Sequence, residues 1–328
     1  MTESVDRKTA VLRLRSADDI LILCHKNPDG DTIGCAGALY LALKALGKNA
    51  AILCSDPIPS LYDYMELRQF DQSFTPAFVV AVDVASIQLF GDRNNVQKYA
   101  EHVQLCIDHH ASNSGYAYET LLDPGAAAAC EVMAGVISDM GVPIDASIAD
   151  CLYTGIATDT GCFRFASTTA RTHQVAAHLI EAGADVERLN ARLFESRSRA
   201  RLEIERIALE SLEYFFDGRC AMIYLTWDQI VTSGVPGAEL EDLTSLPRSI
   251  DGVEVGLTLR HRAASGRRRP FPRCGLRDQR QPGHCALCHP GRGAQGAGAL
   301  GPAGAELNKR QRKANRYDQP AKRHFTGG

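Results

Sequence analysis

The sequence predicts an α/β fold in which a mostly parallel, doubly wound sheet is covered by helices on both faces. Several short segments are continuously apolar, and segments with apolar residues at helical spacing follow them along the chain. Continuously apolar strands interleaved with helices are typical of parallel sheets buried on both faces. The composition, with 45% hydrophobic and 23% charged residues, is that of a soluble globular protein.

The first half of the chain shows this alternation most clearly. The segment DDILILC at 18–24 predicts a buried strand, and TIGCAGALYLALKALG after it predicts a helix that ends at Gly47. Ligands in such a sheet bind beyond the carboxyl ends of the strands. Further strands are predicted at 49–55, 77–83 and 103–108, and further helices at 129–141, 146–158 and 170–182.

The second half predicts a connector and a smaller domain. A charged stretch at 188–215 has Leu and Ile at helical spacing, and RCAMIYLTW and GVEVGLTLRHR after it read as strands. From residue 262 onward there is no Ile or Val, and Gly and Pro make up about a quarter of the residues, a composition typical of disorder. We therefore expect a first domain at 1–187, a helical connector at 188–216, a second domain at 217–262 and a tail at 263–328.

The charge is distributed unevenly along the chain. The net charge is −3, but residues 262–328 carry +12 and the preceding residues −15. A basic tail can bind nucleic acid, although this one has few aromatic residues for base stacking. No apolar run is long enough for a membrane helix, and the start lacks the apolar region of a secretory signal. We predict a cytoplasmic protein whose 11 cysteines are reduced.

Side chains that ligate metals cluster at the ends of these elements. Each carboxylate alone can be explained as a helix cap or turn residue, and a pair of histidines as surface residues. Together at one rim of a sheet they would repel strongly unless cations lay between them. The residues concerned are His25, Asp29 and Asp31 after the first strand, Asp83 after the 77–83 strand, Asp108, His109 and His110 after the 103–108 strand, and Asp159 after a helix.

Two divalent ions, about 3.5–4 Å apart, would neutralise this rim and support phosphoester hydrolysis. Asp83, at the centre of the set, is the predicted bridging ligand. Mixed carboxylate and imidazole ligands without thiolate favour Mn²⁺, with Mg²⁺ or Co²⁺ as substitutes. The predicted ligands are His25, Asp29 and Asp83 for one ion, and Asp31, Asp83, His109 and Asp159 for the other.

The motifs HxNPDGD, VDxAS, DHHxxN and GIxTDTGxFRF occur in this order and resemble the four motifs of the DHH phosphoesterase superfamily. Within it, the chain is most similar to the DHH–DHHA1 proteins, over residues 18 to about 260. The resemblance implies the same metal ligands, with His110 contacting the scissile phosphate and Asp108 orienting the neighbouring imidazoles. It also suggests substrate contacts for Asn113 and Arg164, so the predicted catalytic residues are Asp83, Asp108 and His110.

The resemblance implies a Mn²⁺-dependent hydrolase that acts on short oligonucleotides or small nucleotides. Such proteins release mononucleotides from very short oligoribonucleotides and convert 3′-phosphoadenosine 5′-phosphate to AMP. Two alternatives stay open, namely hydrolysis of cyclic or linear dinucleotides, and a nucleotide-binding protein with impaired catalysis. A homodimer through the first domain is compatible with the sequence, which does not establish one.

The tail departs from the family pattern. Family members end in a GGGHxxAAG-like segment of the DHHA1 domain, where this chain reads HPGRGAQGAGALG at 289–301. We interpret residues 263–328 as an out-of-frame product of a GC-rich gene, with the shift between Arg262 and Ala264, which leaves the DHHA1-like domain incomplete. The segment CALCH at 285–289 matches a haem attachment motif, but we expect no haem because no export signal is present. A zinc site from His284, Cys285, Cys288 and His289 is not adopted, because four ligands within six residues strain tetrahedral geometry.

Overall fold

The computed structural model describes residues 2–65, 67–235, 240 and 242–260. The tail, with its frameshift interpretation and the haem motif and zinc ligands that were not adopted, lies outside these residues. No described helix is long and apolar enough to cross a membrane. The strands are β1 (Glu3–Ser4), β2 (Ile20–Leu23), β3 (Ala50–Leu53), β4 (Phe78–Val82), β5 (Leu105–Asp108), β6 (Glu119–Leu122), β7 (Glu213–Phe215), β8 (Cys220–Leu225) and β9 (Val255–Arg260). The helices are α1 (Arg7–Ser16), α2 (Gly30–Ala45), α3 (Gln97–Ala100), α4 (Ala129–Asp139), α5 (Ala146–Asp159), α6 (Ala170–Glu181), α7 (Val186–Asn190), α8 (Arg199–Glu210) and α9 (Trp227–Ser233).

Six strands form one sheet in the order β1-β6-β5-β4-β2-β3, and every neighbouring pair is parallel. The predicted α/β class with a mostly parallel sheet is therefore confirmed. β3 lies on one side of β2, and the next strand in the chain, β4, lies on the other side of β2. The direction in which strands are added to the sheet therefore reverses between β3 and β4. Such a switch point leaves a crevice at the carboxyl ends of the two central strands.

Alternate residues of the central strands bury against opposite faces of the sheet. Ile20 and Ile22 of β2 join a core with α1, α2, α4 and α5, whereas Leu21 and Leu23 join a second core with Phe90 and α3. All four β2 side chains are fully buried. Burial of each such side chain stabilises the fold by about 1.5–3 kcal/mol relative to exposure, which explains why an uninterrupted apolar run forms this strand.

The strands β1 and β6 and the helix α1 are among the elements that were not predicted from the sequence. β1 has only two residues, both exposed, and β6 has one polar and one charged residue among its four. Neither has the apolar pattern that identifies a strand. The helix α1 buries Ala10, Val11 and Leu14 and begins after Asp6, whose side chain accepts the Thr9 N–H. This cap and the apolar spacing could have identified it.

The helices α2 and α5 pack in close contact because glycines face the partner helix. A Cβ on Gly34 would lie 2.3 Å from the Cys151 carbonyl oxygen, and one on Gly30 the same distance from the Thr158 hydroxyl. A methyl group at either position therefore requires the helices to move apart. This approach brings the first turn of α2 beside the last turn of α5.

The charged stretch expected to be helical at 188–215 is divided. α7 continues into one turn of π-helix at Ala191–Glu195, α8 begins after Ser198, whose hydroxyl accepts the Arg201 N–H, and 213–215 are the strand β7. A serine cap and an extended Ser196 explain the break.

The described chain forms two compact units. The first holds the described residues of 2–210 and 227–243, and the second holds Ser211–Thr226 and the described residues from Thr244 onward. In the second unit, β8 pairs with β7 in the antiparallel direction and with β9 in the parallel direction. The domain boundaries expected from the sequence remain proposals.

Candidate metal centre

The carboxyl ends of β2, β4 and β5, which are adjacent in the sheet, bring the predicted donors of the first unit to one rim. His25 lies two residues beyond β2, Asp83 directly follows β4, and Asp108 is the last residue of β5. The first turn of α2 and the last turn of α5 add Asp31 and Asp159 to the same rim. Donors that are up to 134 positions apart in the sequence thus surround one small volume.

Asp83 lies at the centre of this rim. It is 3% exposed, and its backbone has a φ of 58°, in the left-handed region that non-glycine residues seldom adopt. One carboxylate oxygen, Oδ2, is 3.7 Å from His25 Nε2, and the other, Oδ1, is 3.6 Å from His109 Nε2. The two oxygens of one carboxylate therefore face two different imidazoles.

The first donor group consists of His25, Asp29 and Asp83, whose ligand atoms lie within 4.8 Å of one another. His25 Nε2 is 3.5 Å from Asp29 Oδ1. The other ring nitrogen, Nδ1, is 2.8 Å from the Lys26 carbonyl oxygen. In the neutral imidazole, a hydrogen bond donated by Nδ1–H to this carbonyl places the lone pair on Nε2, which faces the carboxylates, the arrangement of metal-ligating histidines.

The second donor group consists of Asp31, His109 and Asp159. His109 Nε2 is 3.4 Å from Asp159 Oδ2 and 3.8 Å from Asp31 Oδ2. Its Nδ1 is 3.2 Å from the Ala126 carbonyl oxygen, which again orients Nε2 toward the acids. Asp83, His109 and His110 form a third, overlapping group.

Asp108 orients the residues that follow it. It is fully buried, and its Oδ1 accepts the backbone N–H groups of His109 and His110 at 2.8 and 3.2 Å and lies 2.8 Å from His110 Nδ1. Its Oδ2 accepts a hydrogen bond from Asn113 Nδ2 at 2.6 Å. This leaves the Nε2 atom of the exposed His110 as the ring nitrogen available to a substrate.

The residues present fit the binding of divalent metal, because two of their polar atoms are buried without a hydrogen bond. Within the described residues, Asp83 Oδ1 and His109 Nε2 have no hydrogen-bond partner. Buried polar atoms are almost always satisfied, and the separations of 3.4–3.8 Å around His109 exceed those of hydrogen bonds. Carboxylate oxygens and imidazole nitrogens aimed at a common point are the donors that Mn²⁺, Zn²⁺ and Mg²⁺ use in different proportions.

The pKa values of the acids show how strongly the rim resists negative charge. Burial, reinforced by the negative charge of Asp29, raises the pKa of Asp31 to about 6. Burial and the nearby Asp31 charge likewise raise the pKa of Asp159 to about 7 and that of Asp83 well above its usual value. Hydrogen bonding and charge from His25 lower the pKa of Asp83, and charges from His109 and His110 lower that of Asp159, but burial and the neighbouring carboxylates outweigh them.

The pKa values of His25 and His110 are also raised, because the nearby carboxylates favour the protonated imidazole. Burial lowers the pKa of His25, but hydrogen bonds and charges from Asp29 and Asp83 outweigh it and raise the pKa to about 11. A hydrogen bond to Asp108 raises the pKa of His110 to about 9. Burial opposes this His110 shift without cancelling it.

Two of the acids also serve as helix caps. Asp29 accepts the N–H groups of Asp31 and Thr32 at the start of α2. Asp31 accepts those of Ala129 and Cys130 at 2.6 and 2.9 Å, at the start of α4, where the local cap position is an alanine. The helix-capping role of Asp29 and Asp31 is therefore compatible with their being candidate metal ligands.

Arg164 and Asn113 do not belong to the three donor groups. Arg164 is exposed in the turn after α5, and its Nε donates to the Gly161 carbonyl at 2.5 Å. The Asn113 side chain contacts Asp108 and, at 3.4 Å, the Val84 carbonyl. Their roles in substrate binding stay predictions.

One part of the site was not predicted from the sequence. The backbone at Ala126–Cys130 bonds with both His109 and Asp31. No polar side chain marks residues 125–129, but the absence of a local cap before α4 is a signal for a distant acceptor.

Comparison with known proteins identifies a family model and named relatives that match this chain. The model of the DHH family, N-terminal domain, matches residues 19–156. A protein of Thermus thermophilus named bifunctional oligoribonuclease and PAP phosphatase NrnA is 33% identical over 250 residues, which cover 74% of this chain and 72% of that protein. A protein of the same name from Bacillus subtilis is 25% identical over 255 residues, covering 76% and 80%.

A solved structure has the same fold. The exopolyphosphatase-related protein from Bacteroides fragilis superposes with a TM-score of 0.70 at 22% identity, covering 77% of this chain and 79% of that one. Fold, site and relatives together define a hydrolase of phosphoesters. The chain belongs to the DHH family.

Proposed function

We propose that this chain is a two-metal, Mn²⁺-dependent phosphoesterase that cleaves short oligoribonucleotides to mononucleotides and converts 3′-phosphoadenosine 5′-phosphate to AMP. The observation that carries the proposal is Asp83, whose two oxygens face His25 and His109 separately. A bridging carboxylate needs this geometry. The names of the relatives from Thermus thermophilus and Bacillus subtilis support the two substrates.

Different residues of the chain would bind the metal ions and contact the substrate. His25, Asp29 and Asp83 would hold one ion, and Asp31, Asp83, His109 and Asp159 the other. When bound, the cation pair supplies charge stabilisation in the transition state and lowers the pKa of the attacking water. His110, held by Asp108, would donate a hydrogen bond from Nε2 to the scissile phosphate, because its raised pKa, about 9, keeps the imidazole protonated near neutral pH.

The proposal also gives substrate-binding roles to Arg164 and Asn113, which lie outside the donor groups. Arg164 would reach a phosphate by exchanging its contact with Gly161, and Asn113 would act through Asp108. A cytoplasmic location and a homodimer complete the proposal. Cell fractionation and light scattering, respectively, test these two points.

A panel of substrates tests the reaction. The full-length chain, metal-free and then with Mn²⁺, is incubated separately with a diribonucleotide, 3′-phosphoadenosine 5′-phosphate, a cyclic dinucleotide and pyrophosphate. We expect mononucleotides from the first and AMP from the second, only with metal. Turnover of the cyclic dinucleotide alone would assign the alternative phosphodiesterase activity. Binding of Mn²⁺ and nucleotide without turnover of any substrate would favour the impaired nucleotide-binding protein.

A further inference from the structure

Residues 125–129, which we name the alanine segment, read GAAAA and carry no polar side chain. Two ligand candidates nevertheless depend on the backbone there. The Ala126 carbonyl lies 3.2 Å from His109 Nδ1, and the Ala129 N–H donates to Asp31 Oδ2 at 2.6 Å. The orientations of His109 and Asp31 therefore depend on the backbone conformation of the alanine segment. That segment has no polar side chain of its own to fix this conformation.

Glu131 holds the middle of the alanine segment. It lies in the first turn of α4, and its side chain is fully buried. Its Oε2 accepts the Ala127 N–H at 3.2 Å and the Thr172 hydroxyl at 2.9 Å, and its Oε1 pairs with Arg171 Nε. Ala127 lies between the two residues whose backbone atoms meet His109 and Asp31.

Arg171 links Glu131 to Asp123, which lies just before the alanine segment. Its Nη2 is 2.9 Å from Asp123 Oδ2. Asp123 in turn accepts the Gly125 N–H through Oδ1 at 3.1 Å and the Ala126 N–H through its carbonyl at 3.1 Å. One guanidinium therefore joins the carboxylate before the alanine segment to the carboxylate after it.

A buried carboxylate is costly to fold unless it is paired and hydrogen-bonded. The bonds that Glu131 makes fix a stretch of backbone that hydrogen-bonds with both His109 and Asp31. We propose that Glu131 is a positioning residue of the metal centre, which sets the directions of His109 and Asp31 through the alanine segment. This inference rests on the proposed two-metal function, and outer groups of this kind typically change metal affinity about 10–100-fold.

Metal binding by the full-length chain tests the inference without any use of activity. Free Mn²⁺ is followed by its electron paramagnetic resonance signal during titration of wild type and Glu131→Gln. We expect the variant to bind Mn²⁺ about 10–100-fold more weakly, and the visible bands of bound Co²⁺ to shift because the ligand directions change. Glu205→Gln is the matched control, since Glu205 is also a buried acid paired with arginines, in α8. We expect Glu205→Gln to lose stability but to retain wild-type Mn²⁺ affinity and Co²⁺ bands.

Each outcome is decisive. If wild type binds no pair of Mn²⁺ ions, the proposed function fails and the inference falls with it. If wild type binds two ions and Glu131→Gln binds them with equal affinity, only the inference is overturned. Should Glu131→Gln not fold, Thr172→Val and Thr172→Ser replace it, because the serine retains a hydroxyl for Glu131 and the valine does not. Weaker Mn²⁺ binding by the valine variant alone supports the inference, and equal binding overturns it.

Discussion

At the scale of single residues, the properties of Asp83 follow from its place at the end of a central strand. Its left-handed backbone costs a non-glycine residue about 1–2 kcal/mol, and Asp and Asn are the side chains that tolerate this conformation best. Burial at 3% exposure leaves its carboxylate dependent on positive partners. Asparagine can therefore replace it with little change in backbone, which isolates the effect of the charge.

Replacement of Asp83 by Asn is expected to abolish binding of the ion pair. The variant retains the shape but loses the negative charge that faces both imidazoles, so we expect at most one Mn²⁺ per chain and an activity loss of more than about a hundredfold. Elemental analysis after gel filtration measures the metal content. Asn113→Ala is the control, since Asn113 contacts Asp108 rather than the donor groups. Equal Mn²⁺ content in the two variants would contradict the bridging role.

Metal binding is expected to release protons. The pKa of about 11 keeps His25 protonated in the metal-free protein at pH 7.5, whereas a ligand imidazole must be neutral. Because the pKa values of Asp31 and Asp159 are raised to about 6 and 7, their protons also compete with metal below pH 7, so Mn²⁺ affinity should rise with pH. Calorimetric titration in buffers of different ionisation enthalpy counts the protons.

The His25→Gln variant is the reference for this count. Glutamine offers an oxygen ligand and carries no titrating proton, so proton release at pH 7.5 should fall by about one. An unchanged count in His25→Gln would show that the proton comes from another group.

At the scale of elements, much of the site could be predicted because parallel strands end on the same side of a sheet. The apolar runs ending near His25, Asp83 and Asp108 are local features, and each is visible in the sequence. The capping of α4 by Asp31 could not be predicted, because the two partners are 98 residues apart. Short or polar strands such as β1 and β6 were also missed, since neighbours in the sheet stabilise them rather than their own pattern.

Gly155 of α5 is a point at which helix packing controls the site. A Cβ there would lie 2.6 Å from Asp31 Oδ1 and 2.2 Å from Cys130 Sγ. Gly155→Ala should therefore displace the Asp31 carboxylate, weaken Mn²⁺ binding at least about tenfold, and destabilise the chain by about 1–3 kcal/mol through overpacking. Chemical denaturation and Mn²⁺ titration measure the two effects.

Gly135 of α4 provides the matched control for this substitution. The atoms nearest to its added Cβ belong to the flexible, exposed side chain of Arg7. Because alanine is favoured over glycine within a helix by about 0.5–1 kcal/mol, Gly135→Ala should retain or slightly increase stability and bind Mn²⁺ like wild type. Similar behaviour of both variants would show that contact with Asp31 is not the cause.

At the scale of the whole molecule, the metal rim is a source of instability that cations remove. Burial at the switch point of the sheet raises the pKa values of Asp31, Asp83 and Asp159 together. The fold maintains this arrangement because the strands, α2 and α5 are fixed by two large apolar cores on either face of the sheet. The sequence predicts that these acids repel one another at one rim, and the tertiary structure adds their burial, which is the larger cause of the raised pKa values.

The stability of the metal-free chain is therefore expected to fall between pH 5 and pH 8. Asp31 and Asp159, with pKa values raised to about 6 and 7, bind protons more tightly in the folded than in the unfolded state, so rising pH favours unfolding. The raised pKa values of His25 and His110, about 11 and 9, act in the same direction above pH 6.5. A fixed Mn²⁺ concentration of a hundred times the dissociation constant at pH 5 adds about 2.7 kcal/mol per ion at that pH, and at this concentration the gain grows with pH because affinity does. Urea unfolding at pH 5 and pH 8, with a chelator and with Mn²⁺, should show a loss of stability with pH only in the chelator. A metal-free chain more stable at pH 8 would refute the assignment of these acids to one cluster in which burial and mutual repulsion outweigh the neighbouring positive charges.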